Sequence, residues 1–147
     1  MRHLFIAAVS IFLFAGSASA EMVKLASPHS VAETMDRLEA AVKGAGANVF
    51  ARIDHQAAAA SIDVAIPAST VMFFGSPKIG APIMLDGITI GLDLPLRALA
   101  YEDGGKVWLV YHNPTDMAAQ HGIPADHPVL QKIKGALGKL TGKAISP

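Results

Sequence analysis

The sequence predicts a single α+β domain: a largely antiparallel sheet packed by one long N-terminal helix and by C-terminal helices. Three observations carry that prediction. A helical stripe with a capping signal opens the mature chain, short alternating segments bounded by turn residues fill its middle, and a second helical stripe closes it. At 147 residues the chain is long enough for one self-supporting core. It contains no cysteine, which excludes disulfides, thiolate nucleophiles and Cys-based metal sites, so packing alone must hold the core. Its 12 Lys+Arg balance 12 Asp+Glu, leaving no basic face for nucleic acid.

Residues 1–20 read as an address. Arg2 precedes the apolar run Leu4–Ala15, and Ala18-Ser19-Ala20 follows as a small-residue cleavage site. This is the pattern of a secretory signal peptide cleaved after Ala20. The mature chain would be Glu21–Pro147, periplasmic or secreted. The run falls short of the ~20 apolar residues a membrane span needs, and no later segment is long enough either.

Met22–Ala26 alternates and predicts a first strand. Ser30 and Glu33 form a capping box ahead of Val31, Met35, Leu38, Val42 and Ala45, which share one helical stripe, and Gly44 and Gly46 end that helix. Val49–Asp54 alternates as a second strand, and the alanine-rich Gln56–Ala60 is a bend or short helical turn. Ser61–Ile66 alternates again until Pro67 interrupts it, and Thr70–Phe74 is a compact β-prone run. Gly75–Pro82 is dense in breakers and is expected to be a loop with one helical turn.

Ile88–Leu94 leads into Pro95, and Leu96–Glu102 reads as a strand. Asp103-Gly104-Gly105 is a hairpin turn, because left-handed geometry is cheap at Gly, and Lys106–His112 returns. Asn113-Pro114 caps a short helix closed by Gly122, with Pro in the first position. Pro128–Lys143 carries Leu130, Ile133, Leu137 and Leu140 on one stripe. Its Gly135, Gly138 and Gly142 each cost ~1 kcal/mol relative to Ala, so it is helical only when packed.

Several blocks together resemble the domain-of-unknown-function 302 family of small bacterial α+β proteins. They are Val49–His55, Phe74–Met84 (FGxPxxGxPxM), Leu92-Asp93-Leu94-Pro95-Leu96, Lys106–Tyr111, Asn113-Pro114 and Met117–Gly122. The resemblance implies a helix packed on a largely antiparallel sheet, and a homodimer. It implies no reaction. The stretch Leu85–Ile90 departs from the more polar, Pro-containing connection the resemblance leads one to expect.

Candidate chemistry centres on His55, which ends a strand, and on His121, four residues after Met117 and so on its face if the helix continues. With Met84 these could offer a soft metal such as copper a His/Met set. The plainer reading has Met84 and Met117 filling core gaps and His121 near a helix C-terminus. Neither HExxH nor a tight His pair is present.

Asp54, Asp93 and Glu102 are candidate carboxylates for acid–base work; Asp93, between Leu92 and Leu94 ahead of Pro95, is expected to be partly buried, although such an Asp more often caps a turn. Gly75-Ser76-Pro77 is not a nucleophile elbow, and Gly75–Gly80 is not a phosphate loop. Lys132, Lys134, Lys139 and Lys143 form an acid-free C-terminal cluster. It reads as a solvated helix face, or as a membrane-surface or anion site. Trp108 and Tyr111 fall on opposite faces of their strand, one in the core and the other free to line a pocket or a dimer interface.

The sequence therefore points to an exported, non-enzymatic binding module, homodimeric, for a small ligand or soft metal ion. The expected site gathers His55, Gly75, Pro77, Gly80, Met84, Asp93, Tyr111 and His121, and the sequence leaves any cofactor open. Two alternatives stand beside it. One is a small envelope enzyme with Asp93 or His55 as general base; the other is an accessory subunit of an envelope or redox complex.

Overall fold

The computed structural model describes residues 21–147; the expected signal peptide lies outside the described residues. Five strands form one antiparallel sheet: β1 (Met22–Ser27), β2 (Asn48–Asp54), β3 (Ser69–Gly75), β4 (Leu96–Asp103) and β5 (Lys106–His112). Their order is β1-β5-β4-β3-β2. The helices are α1 (Val31–Gly44), α2 (His55–Ala60), α3 (Pro77–Asp86), α4 (Pro114–Ala119) and α5 (Pro128–Ile145), with a 3₁₀ turn at Ile88–Leu92. The fold is α+β, as the sequence predicts.

α1 starts where Ser30 accepts the Glu33 N–H at 3.1 Å, which satisfies one orphan donor of the first turn. The other half of the capping box does not form. Glu33 instead meets His29 Nδ1 at 3.1 Å. Val31, Met35, Leu38 and Val42 on α1, and Leu130, Ile133, Leu137 and Leu140 on α5, bury their stripes on one face of the sheet. The sheet answers with Met72, Phe74, Ala98, Ala100 and Leu109.

Strand alternation sends Val71, Phe73, Leu99, Tyr101, Trp108 and Val110 to the opposite face. There Lys24 Nζ stands 4.2 Å from the centre of the Trp108 ring. Tyr111 packs against the core, so the expected split between Trp108 and Tyr111 is observed.

The hairpin turn is as expected, with Gly104 at φ +60° and Gly105 at φ +72°. β1 covers β5 and β3 covers β4, so the free edges belong to β1 and β2. Ser61–Ile66 forms no strand. Turn hydrogen bonds from Ile62 N to Ala59 O and from Asp63 N to Ala60 O curl the chain away from the sheet.

The largest correction concerns Gly75–Pro82, expected as a loop with one helical turn. Most of it is the first part of α3, which runs on to Asp86. Pro77 sits in the first turn, where no intrahelical donor is required. Pro82 forfeits a single bond on the exposed side, while Ile83 is fully buried and anchors the helix.

Candidate functional site

Between α3, α5 and the end of the sheet where β2 begins and β3 ends lies a cavity of about 330 Å³. α3 supplies Pro77, Gly80, Ala81 and Met84, a spacing that puts them on one helical face. α5 supplies Ile133, Ala136, Leu137 and Leu140, and Phe74 and Leu96 close the inner end. Ala47 and Phe50 stand at the opposite margin. Phe50 reaches it because the register between β2 and β3 slips at Val49/Ala51, leaving Phe50 outside the ladder. Ser76 is the only lining residue with a polar side chain, and none is titratable. Apolar walls of this kind stay dry or take up carbon, because a polar guest would lose its water partners without replacement.

Beside the cavity, both oxygens of Asp93 are engaged. Oδ2 accepts from His121 Nε2 at 2.8 Å, and Oδ1 accepts from Arg97 Nη2 at 3.0 Å. The carboxylate fixes the His121 tautomer: Nε2 carries the proton and Nδ1 faces the Thr89 hydroxyl at 3.1 Å. A parallel contact joins His127 Nε2 to Asp86 Oδ2 at 3.0 Å, while His127 Nδ1 accepts the Val129 N–H and caps α5. Two imidazole–carboxylate pairs thus tie the α3–3₁₀ segment, which walls the cavity, to the α4–α5 connection. Gly87 belongs to the same seam. A Cβ there would meet His121 O and Ile123 Cγ1 at 3.2 Å each.

Of the expected site, Gly75, Pro77, Gly80 and Met84 line the cavity. Asp93 and His121 pair with each other outside its lining, and Tyr111 packs in the core. His55 does not join them. It follows Asp54, which pairs with Thr70, whereas the cavity end of β2 is Asn48, paired with Gly75. The seven residues of β2 separate the two ends by roughly 20 Å at ~3.3 Å per residue.

The expected soft-metal set His55, Met117 and His121 is therefore dispersed. Met117 is 4% exposed and fills the core. His121 lies beyond the end of α4 at Ala119, so the two do not share a helix face. Among the described residues no three His, Asp or Glu side chains are placed to hold one metal ion. The lining residues Ile79, Leu94, Leu96 and Ala136 were not singled out from sequence. For Ile79 the one available signal was an apolar periodicity through Pro77–Met84, masked by Gly and Pro.

The family model described as "Domain of unknown function DUF302" matches residues 23–140. The chain belongs to the DUF302 family. A DUF302 protein of uncharacterized function from Bacillus stearothermophilus has the same fold. Its TM-score is 0.76 at 17% identity, over 84% of this chain and 97% of that one.

Among curated proteins, fluoride-specific ion channel FluC 1 of Brucella suis is 44% identical over 117 residues. That match covers 78% of this chain and 46% of the relative. FluC 2 of Brucella melitensis is also 44% identical, with 43% of its length covered. The chain thus spans less than half the length of these relatives. Among the described residues no helix is long and apolar enough to cross a membrane.

Proposed function

We propose that this DUF302 chain is an exported binding module that holds a small apolar molecule between α3 and α5. The observation that carries this reading is the cavity of about 330 Å³ whose lining has Ser76 as its single polar side chain. Small-molecule sites run from ~300 to 1,000 Å³ and are mostly apolar. The signal-peptide pattern of residues 1–20 supports export. The family resemblance and the apolar sheet face opposite α1 and α5 support a homodimer. The general-base alternative draws less support, since Asp93 has both oxygens occupied and His55 stands apart from any apolar cavity.

Titration with a neutral apolar fluorophore such as N-phenyl-1-naphthylamine tests the reading. Saturable binding at one site per chain, competed by short-chain alkanols, is the expected result. Absence of saturable binding would overturn it.

A second reading, an accessory domain working beside a membrane protein, is favoured by the Brucella relatives. They are named as fluoride channels, and most of their length lies outside the match. Fluoride tolerance compared between cells with and without this gene tests it; equal tolerance would remove the fluoride link.

A further inference from the structure

The lysines of α5 stand unexplained by an apolar cavity alone. Lys132 and Lys139 lie four residues before and three after Ala136, which lines the cavity, so all three share one flank of α5. Lys143 continues that row a turn further on. Thr141, fully buried, marks the other flank, where α5 packs on α1. The lysine row therefore follows the flank of α5 that carries Ala136, away from the flank that carries Thr141.

Across the opening, Ala81 of α3 is exposed, and Lys78 lies three residues before it on the same side of α3. Lys78, Lys132, Lys139 and Lys143 are all exposed. None of them takes part in an ion pair among the described residues. The carboxylates nearest in sequence to the cavity walls, Asp86 and Asp93, are already held by His127, His121 and Arg97. Exposed cations without an ion pair among the described residues thus stand on the same helix flanks as residues that line a carbon-walled cavity.

We infer that the cavity takes a single-chain amphiphile with an anionic head, its chain among Met84, Leu96, Ile133 and Leu140 and its carboxylate or phosphate at Lys132 and Lys139. This rests on the apolar-ligand reading above and adds the charge of the guest. The chain must be unfunctionalised, because the walls offer no hydrogen bond beyond Ser76. It must be one chain, because about 330 Å³ sits at the small end of ligand sites. The head stays at the surface, so neither the lysines nor the anion is stripped of water, and the attraction adds to burial without the desolvation cost of a buried pair.

The experiment displaces N-phenyl-1-naphthylamine from the exported chain with decanoate, decyl phosphate and 1-decanol, all below their aggregation limits. Decanoate, decyl phosphate or both should bind at least about fivefold more tightly than decanol at low salt. That advantage should shrink in about 0.5 M salt, where the Debye length falls to a few ångströms. Whichever anion is preferred identifies the head group. The double substitution Lys132→Gln, Lys139→Gln should erase the preference while leaving decanol and the fluorophore unchanged.

Equal affinity for all three competitors, or an anion preference that survives the double substitution, would overturn the inference and leave the apolar cavity standing. If the neutral fluorophore itself does not bind, the cavity reading falls, and the charge assignment with it.

Discussion

His121 Nε2 donates to Asp93 Oδ2 at 2.8 Å, with the imidazole side chain 9% exposed. The bond joins the turn after α4 to the segment that leads from the 3₁₀ turn into β4. Asp93 directly precedes Leu94, which lines the cavity. Arg97 holds the other oxygen, so both carboxylate oxygens have a donor.

Replacement of His121 by Ala should cost about 1–2 kcal/mol of stability, the penalty for leaving a hydrogen-bonded, half-buried carboxylate short of a donor. Denaturant unfolding measures it. The loss should be accompanied by faster amide exchange in Ile88–Leu92. A change below about 0.5 kcal/mol would show that Arg97 alone holds Asp93.

Ala136→Phe should fill the cavity from the α5 side and abolish binding of N-phenyl-1-naphthylamine. Because Ala136 is half-exposed and at the cavity surface, the larger ring enters existing space and the fold should survive, with far-ultraviolet circular dichroism unchanged. Retained fluorophore binding by the folded variant would place the bound molecule elsewhere.

Leu99 lies between Val71 and Val110 in the strand register, on the face turned away from α1 and α5. Sedimentation of the parent chain should give twice the monomer mass, and Leu99→Lys should give a monomer, since a charge in a buried interface is costly to desolvate. A monomeric parent at high micromolar concentration would dispose of the homodimer.

Glu39 has a pKa lowered below its ordinary 4.5, first by its hydrogen bond to Lys43; burial opposes this, and the charges of Lys43 and Arg52 and a hydrogen bond from Arg52 lower it further. A lowered folded-state pKa means stability that is present above the unfolded value and lost as the pH falls through the folded one. The side chain is partly exposed and solvent screens its ion pairs, so Glu39→Gln should remove under about 0.5 kcal/mol at neutral pH. It should also flatten the acid limb of the stability curve slightly below pH 4.5. Thermal melts at neutral and acidic pH measure the difference.

The parts of the fold legible in the sequence are those where one local rule acts unopposed. Ser30 and the Val31–Val42 stripe announce α1, and Gly104-Gly105 announces the hairpin, because capping and left-handed turns need no tertiary partner. Where tertiary packing overrides local preference, the sequence misleads. Buried Ile83 draws a Gly- and Pro-rich stretch into α3, and the curled turn after Ala60 spoils the alternation of Ser61–Ile66. The site was legible only in part for a related reason. Gly75, Pro77, Gly80 and Met84, named from a dense motif, line the candidate cavity, but the expected His55–His121 convergence depended on which end of β2 meets Gly75. That is a matter of strand register, which composition does not reveal. The carbon walls contributed by α5 looked like ordinary core.

The register has a bearing on how such a domain can be tethered. Met22 pairs with His112 at the cavity end of the sheet, and Glu21 O accepts from Asn113 N there. Ser146 instead bonds Arg37 and His29, beyond the opposite end of β1. The described chain thus enters at one pole and leaves at the other. Any polypeptide joined ahead of Glu21 would hold the cavity's pole toward itself, and any joined after Ser146 would hold it outward, so the order of fusion sets which way the domain faces.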